Sequence, residues 1–195
     1  MDDVARMTSA RRLSACPPHT YLMAASESVV IVPVAETEPA VGKFRAQLDR
    51  TAAWGVPAHV TVLAPFVPPD RIGPWELHKL REAVRAVPRF DVIFRRTEWF
   101  GDDVVWLAPE PDDGFRALTA AVCSAFPDFP PYGGAFADVI PHLTVGAHAD
   151  LSRMRAAARA TSARLPIKAA VRAAHLFQGS DAFGAWRRVA ELPLG

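Results

Sequence analysis

The chain has 195 residues, of which 50% are hydrophobic and 22% are charged, and its formal net charge is +1. This length fits one domain or two small lobes with a shared interface, and the apolar fraction excludes a disordered chain. The near-neutral charge argues against a protein that neutralises many phosphates of a long duplex. It favours a small or terminal phosphate-containing ligand.

The N-terminal segment, residues 1–26, has Arg11 and Arg12 but no continuous apolar stretch after them. It therefore lacks the pattern of a secretory signal, and we expect a flexible extension followed by one domain over 27–195. No apolar run reaches the length of a membrane-spanning helix, so no membrane association is expected. Cys16 and Cys123 form no metal-binding or disulfide pattern, which favours a reduced, cytoplasmic protein.

The first half of the chain alternates short strands with amphipathic helices. Strands are predicted from β-branched or alternating runs, and helices from apolar residues at helical spacing, with Arg45 on the apolar stripe of the first one. In chain order they are a strand at Val29–Val34, a helix over 38–50, a strand at His59–Phe66, a helix over 74–87 and a strand at Phe90–Phe100.

The second half repeats this order of elements with little sequence identity. They are a strand at Val104–Ala108, a helix over 112–126, a strand at His142–Val145, a helix over 150–160 and a hairpin of strands at 169–178 and Ala185–Leu192. We therefore predict an α+β, bilobal fold with pseudo-twofold symmetry. Two antiparallel sheets with helices on the outside would face each other across a central cleft.

A tetrapeptide of the form His-x-Thr-Val opens one strand in each half, at residues 59–62 and at 142–145. Side chains alternate between the two faces of a strand, so His59 shares one face with Thr61, and His142 with Thr144. The aliphatic residues between them point to the other face. If the sheets face each other, all four polar groups converge on one cleft.

Two histidines with two hydroxyls suit the chemistry of phosphodiester cleavage. One imidazole can deprotonate the attacking water while the other protonates the departing oxygen, because the ordinary pKa of histidine lies near neutrality. The hydroxyls of Thr61 and Thr144 can donate to the non-bridging phosphate oxygens. A single such motif is more often a packing feature, but two copies at equivalent positions predict a functional pair.

These motifs resemble those of the 2H phosphoesterase superfamily, in particular the bacterial 2′-5′ RNA ligase-like proteins. The resemblance covers roughly residues 28–193 and includes AHVTVLAPF at 58–66, PHLTVG at 141–146 and the terminal hairpin with Trp186. It implies a bilobal α+β fold, hydrolysis of 2′,3′-cyclic phosphates or related phosphodiesters, and no cofactor or metal. Some relatives join or cleave 2′-5′ linkages in RNA. His59, Thr61, His142 and Thr144 match the motif positions.

Several assignments stay open at this point. We expect His142 to activate water and His59 to protonate the leaving oxygen. The opposite assignment also stays open, because the roles depend on the orientation of the substrate. The ligand is expected to be an RNA terminus or a small nucleotide with a cyclic phosphate, bound by a monomer. Candidate surfaces for stacking of its base are aromatic side chains near the second motif or at the end of the first motif strand, namely Phe66, Tyr132 and Phe136.

Two other classes of function compete with a phosphodiesterase. One is a metal hydrolase with both motif histidines as ligands, which would need a third ligand from Asp138, His148 or Asp150. The same two carboxylates could instead orient His142. The other class is a non-catalytic module that binds RNA or nucleotides. His148 itself matches no motif, and we expect it to be structural or exposed.

Overall fold

The computed structural model describes residues 25–136 and 138–195, so nearly all of the expected extension at 1–26 lies outside the described residues. The described strands are β1 (Glu27–Pro33), β2 (His59–Leu63), β3 (Phe90–Phe100), β4 (Val104–Glu110), β5 (Leu143–Ala147), β6 (Ile167–Val171), β7 (Ala173–Gly179) and β8 (Arg187–Pro193). The helices are α1 (Glu38–Leu48), α2 (Arg50–Ala53), α3 (Pro74–Arg85), α4 (Asp113–Ala125) and α5 (Leu151–Ser162).

The α+β class is confirmed, but the prediction of two separate facing sheets is wrong. All eight strands form one curled antiparallel sheet in the order β6-β3-β4-β5-β2-β1-β7-β8. The two halves are joined because β2 pairs with β5 through Val60 and Leu143. The motif strands are therefore neighbours at the centre of one sheet, and their cleft is the open face of that sheet.

The two halves of the sheet exchange strands. From the centre outwards, one half runs β2, β1, β7, β8 and the other runs β5, β4, β3, β6. β3 follows the first motif strand in sequence but pairs with β4, and β7 follows the second motif strand but pairs with β1. Each predicted repeat thus contributes its last long strand to the opposite half, which ties the halves into one unit.

The main hydrophobic core lies between one face of the sheet and the four long helices. The motif strands supply Val60, Val62, Leu143 and Val145, each with at most 1% of its surface exposed. They share one cluster of buried residues with side chains from all four helices. The predicted inward direction of the aliphatic motif residues is confirmed, which leaves the histidines and threonines for the other face.

Two predicted elements are interrupted in the structure. The helix expected over 38–50 ends at Leu48, and Asp49 then caps the short α2 by accepting a hydrogen bond from the backbone N–H of Thr51. The strand expected over 169–178 is divided at Arg172 into β6, which pairs with β3, and β7, which pairs with β1. The chain crosses from one edge of the sheet to the opposite half at this point.

A smaller hydrophobic cluster covers part of the open face of β1 and β7. It consists of Ile31, Val56, Phe177 and Trp186, with Trp54 packed against it. Trp54 and Trp186 stack with ring centroids 6.4 Å apart. Among the described residues, no helix combines the length and the apolar character that crossing a membrane requires.

Candidate active site

The register between β2 and β5 brings the two motifs together. Because Val60 pairs with Leu143, extending the antiparallel register by one residue places His59 across from Thr144 and Thr61 across from His142. The two histidines are therefore diagonal neighbours across the strand pair, and such neighbours typically lie about 7–8 Å apart. All four side chains are half-buried and line one cleft of about 740 Å³.

Both imidazole rings are held in the same way. The Nδ1 atom of His59 lies 2.7 Å from the carbonyl oxygen of Pro57, and Nδ1 of His142 lies 2.8 Å from that of Ile140. A carbonyl oxygen only accepts, so Nδ1 carries the hydrogen in each ring. The Nε2 atoms are then the groups that can accept or donate a proton.

The two histidines differ in their electrostatic surroundings. Burial and, next in importance, the positive charge of Arg45 lower the pKa of His59 to about 4. The bond to Pro57 and the charge of Asp49 oppose this shift. Burial also lowers the pKa of His142, against the effect of its bond to Ile140. His59 is thus the imidazole with the stronger preference for its neutral form.

Two aromatic rings support His142 from β3 and β4. Phe100 and Trp106 contact its imidazole edge-to-face, with centroid distances of 5.0 and 5.9 Å. Trp106 also pairs with Thr144 in the sheet, so its side chain lies on the same face as the motif. Neither residue was predicted at the site, because Phe100 ends the last predicted strand of the first half, Trp106 lies in the first predicted strand of the second half, and neither belongs to a motif.

Tyr132 is the one predicted substrate-binding residue that lines the cleft. Its backbone has a positive φ of 51°, and its N–H donates to the carbonyl oxygen of Ala64 at 2.7 Å. Burial raises the pKa of its phenol, and a hydrogen bond with Thr61 opposes that shift. Tyr132 therefore lies beside a motif threonine in the cleft.

The other two aromatic candidates lie elsewhere. Phe66 is 3% exposed and packs edge-to-face on Phe126 in the main core, so no face of its ring is open to a base. Phe136 is 63% exposed and contacts the ring of Tyr132 with a centroid distance of 5.6 Å, but it is not among the residues that line the cleft. The structure thus separates Phe66 from the site and leaves Phe136 at its margin.

Comparisons with known proteins identify the family and the fold of this chain. The sequence model described as "2'-5' RNA ligase superfamily" matches residues 33–182. The chain belongs to the 2′-5′ RNA ligase superfamily. The family that the motifs resembled is thus confirmed, and a search of curated proteins found no match.

Solved structures of low sequence identity share the fold of this superfamily member. Apo LigT of E. coli is 19% identical, with a TM-score of 0.56, and the alignment covers 87% of this chain and 98% of LigT. LigT in complex with 3'-AMP is also 19% identical, with a TM-score of 0.54 and the same coverage. TT0787 of Thermus thermophilus is 16% identical, with a TM-score of 0.58, covering 86% of this chain and 97% of TT0787.

The carboxylates considered as partners of His142 have other roles in this 2′-5′ RNA ligase superfamily member. Asp138 accepts a hydrogen bond from Arg116 at 2.9 Å. Asp150 caps α5 by accepting from the backbone N–H of Arg153 at 2.9 Å. Backbone carbonyls, rather than carboxylates, orient both motif histidines.

The requirements of a metal site are also not met in the described part of the chain. Within residues 25–136 and 138–195, no three His, Cys, Asp or Glu side chains are grouped as a bound metal ion would need. His148 is exposed and lines the cleft, with a positive φ of 50°. It therefore faces the same space as the motif histidines, although the sequence predicted only a structural or exposed role.

Arg50 also lines the cleft, although no sequence motif predicted it there. Arg50, in α2, lies over the ring of Trp54 with its guanidinium carbon 5.1 Å from the centroid. Arg50 and His148 would both meet an anion bound between the motifs. Arg50 belongs to no sequence motif. It lies at the cleft because the chain bends at Asp49, between α1 and α2.

Proposed function

We propose that this protein is a metal-independent phosphodiesterase that hydrolyses 2′,3′-cyclic phosphates at RNA ends or on nucleotides. The observation that carries the proposal is the diagonal pair of His59 and His142, each with Nδ1 bonded to a carbonyl oxygen and with a threonine beside it. In-line displacement at phosphorus needs a base and an acid on opposite sides of the phosphate. The diagonal provides such a pair.

The environments favour roles opposite to those expected from the sequence. His59 has a pKa of about 4 and is neutral near pH 7, so its Nε2 is free to accept a proton from water. Among the described residues, no cation lowers the pKa of His142 as Arg45 lowers that of His59, and the negative charge of a bound phosphate would favour the protonated form of His142. We therefore assign the base to His59 and the acid to His142.

The proposed reaction runs in one displacement. Water attacks phosphorus as Nε2 of His59 takes its proton, the bond from phosphorus to one ribose oxygen breaks, and His142 gives a proton from Nε2 to that oxygen. Thr61 and Thr144 donate hydrogen bonds to the non-bridging oxygens, where negative charge increases in the transition state. The product is a phosphate monoester. If a ribose 5′-hydroxyl attacked in place of water, with its proton going to His59 and the 3′-oxygen leaving with a proton from His142, the product would be a 2′-5′ linkage.

A nucleotide is the ligand class that we propose for the cleft. LigT of E. coli, which shares the fold, has been crystallised in complexes named for 3'-AMP, NADP+ and ATP. In this chain Tyr132 supplies an aromatic side chain beside Thr61, and Arg50 supplies a cation. An aromatic ring with a neighbouring cation is a common arrangement for a base and its phosphate.

A substrate panel tests this proposal directly. The protein is incubated with nucleoside 2′,3′-cyclic phosphates, 3′,5′-cyclic phosphates and 2′-5′-linked dinucleotides, with and without EDTA, and the phosphate isomers formed are identified. We expect turnover of the 2′,3′-cyclic substrates that is insensitive to EDTA. Inactivation by EDTA with recovery on addition of zinc would instead support the metal hydrolase.

The non-catalytic alternative has its own outcome in this experiment. Saturable binding of a nucleoside 2′,3′-cyclic phosphate with no product would assign the fold to a binding module. His78, an exposed residue of α3, provides a matched control, because His78→Ala removes an imidazole that does not line the cleft. Loss of turnover in His59→Ala but not in His78→Ala would tie the activity to the cleft.

A further inference from the structure

Arg45 is a buried cation at the base of the turn that carries His59. Arg45 lies in α1, and only 2% of its surface is exposed. Its Nε and one terminal nitrogen donate to the same carboxylate oxygen of Asp49, at 3.1 and 3.0 Å. Both terminal nitrogens lie 3.3 Å from the carbonyl oxygen of Val56. A buried arginine of this kind binds two segments together.

These bonds fix the turn that leads to the first motif. The Val56 carbonyl is held by Arg45, and the backbone N–H of Ala58 donates to Glu38 at 2.7 Å. Between these two points, the carbonyl of Pro57 accepts the hydrogen of His59 Nδ1. The position of the carbonyl that orients the imidazole therefore depends on two side chains of α1.

The turn before the second motif has a related but exposed contact. Arg116, in α4, donates to the carbonyl of Val139 at 3.5 Å, and Val139 stands three residues before His142, as Val56 stands before His59. The side chain of Arg116 is 41% exposed, whereas that of Arg45 is 3% exposed. The same kind of bond is thus screened by solvent on one side of the cleft and protected from it on the other.

We propose that Arg45 is a positioning residue that makes His59 the general base of the cleft, by holding the turn whose Pro57 carbonyl binds Nδ1 and by placing a buried positive charge near the ring. This inference rests on the proposed phosphodiesterase function. Arg45 itself does not line the cleft, so it acts through His59 rather than on a substrate.

The charge of Arg45 acts among several other groups around His59. Those that influence its titration or line the same cleft are Arg45, Asp49, Arg50, Tyr132, His142 and His148. Of the charged residues, Arg45 has the largest effect and disfavours the imidazolium, while Asp49 has a smaller effect of opposite sign. Removing the charge of Arg45 should therefore raise the pKa of His59.

Two substitutions separate the charge of Arg45 from its geometry. Arg45→Lys keeps the positive charge but loses the planar fork, whereas Arg45→Met loses both. We expect kcat to fall by about 10–10²-fold in each, as for a small displacement of a catalytic group. The acid limb of the pH profile of kcat/KM should move to higher pH only in Arg45→Met, because only that variant removes the charge.

Arg45→Met leaves the Asp49 carboxylate buried without its partner, which can prevent folding. The double variant Arg45→Met/Asp49→Asn removes both charges, so no buried ion is left unpaired, and it should show the same shift of the acid limb because the effect of Arg45 on His59 exceeds that of Asp49. Arg116→Met is the matched comparison, since it breaks the equivalent bond beside His142, and we expect it to leave the acid limb in place. Arg155→Met, on the exposed side of α5, controls for the loss of one surface charge.

Nitrogen chemical shifts of the His59 ring give a second readout that needs no substrate. The wild-type protein should hold the hydrogen on Nδ1, and Arg45→Lys and Arg45→Met should both show a mixture of tautomers. If the shifts respond as expected but the wild-type protein turns over no cyclic phosphate, the proposed function fails and the role of Arg45 in positioning the ring stands. If the wild-type protein is active and neither the tautomer nor the acid limb responds in folded variants, the proposal for Arg45 is wrong.

Discussion

Val60 of β2 is paired directly with Leu143 of β5, and this one pair places both His-x-Thr motifs on the same open face at the centre of the sheet. Each aliphatic partner is fully buried in the main core. Since a slip of one residue would turn the polar side chains into that core, the burial of Val60 and Leu143 fixes the register of the site.

The choice of leaving group distinguishes the base from the acid. In His142→Ala, hydrolysis of a 2′,3′-cyclic phosphate should fall by about 10²–10⁴-fold, because the departing ribose oxygen needs a proton. A p-nitrophenyl phosphodiester should lose much less, since p-nitrophenolate leaves without one. His59→Ala should lose a comparable factor on both substrates.

Initial rates on both esters, with His78→Ala as the control, measure this contrast. The reverse pattern, in which His59→Ala is rescued by the good leaving group, would restore the assignment expected from the sequence. Equal losses in both variants on both substrates would contradict separate acid and base roles.

The threonine hydroxyls should act on the transition state rather than on substrate binding. Thr61→Val and Thr144→Val keep the shape of the side chain and remove the donor, and we expect each to lower kcat by about 10²–10³-fold with little change in KM. Thr61→Ser and Thr144→Ser retain the hydroxyl and should recover most of the activity. Steady-state kinetics give kcat and KM for the four variants. A rise in KM with unchanged kcat would show that these hydroxyls bind the substrate rather than stabilise the transition state.

The stability of the protein should fall in mild acid through His59. Its pKa is about 4 in the folded protein and 6.5 ordinarily, so between these values the unfolded chain binds the proton more strongly. The free energy of unfolding is therefore highest above pH 6.5 and falls as the pH drops towards 4. From this group the loss is on the order of 1–3 kcal/mol.

Urea unfolding at about pH 7.5 and about pH 4.5 measures this loss. His59→Asn cannot take up a proton and should lose less stability over that range than the wild-type protein. His142 has a lowered pKa as well and contributes in the same direction, so His142→Asn should also reduce the loss. An identical acid dependence in the wild-type protein and both variants would argue against these shifts.

Phe66 and Tyr132 should respond to substitution in opposite ways. Phe66→Ala removes a ring that is 3% exposed in the main core and should cost about 3–5 kcal/mol of stability. In the fraction that remains folded, KM should be unchanged. Tyr132→Phe removes only a hydroxyl that lies beside Thr61 in the cleft, so it should change stability little and lower kcat by up to about 10-fold.

Thermal unfolding combined with steady-state kinetics tests both expectations. If KM is raised in Phe66→Ala after correction for the folded fraction, Phe66 contributes to substrate binding, as the sequence predicted. If Tyr132→Phe has the kcat of the wild-type protein, the hydroxyl of Tyr132 does not assist Thr61 in the reaction.

Local features of the structure could be predicted from the sequence, whereas features that depend on distant contacts could not. The alternation of His59 and Thr61 with buried valines needed only the period of a strand, and Phe90–Phe100 was assigned with its observed bounds. The break at Asp49 was missed, since the helical spacing of the surrounding residues continues through it. An arginine on an apolar stripe, four residues before an aspartate, was the available signal for the buried pair of Arg45 and Asp49.

The aromatic candidates show why a binding surface is harder to predict than a motif. Phe66 and Tyr132 are both near a motif in sequence or space, but one ring packs on Phe126 in the core and the other lines the cleft. The neighbouring sequence does not distinguish the two rings, because the direction of each depends on how α4 and the loops beside it pack. A monomeric state and a cytoplasmic location stay predictions.

The sequence by itself determined the two His-x-Thr strands, the family and the α+β class, because each follows from side-chain periodicity or from a short motif. Only the tertiary structure decided that all eight strands form one sheet and that His59, rather than His142, lies beside a buried arginine. Strand pairing and burial are set by contacts between residues far apart in the chain, and the free energy of those contacts is not encoded in any single segment.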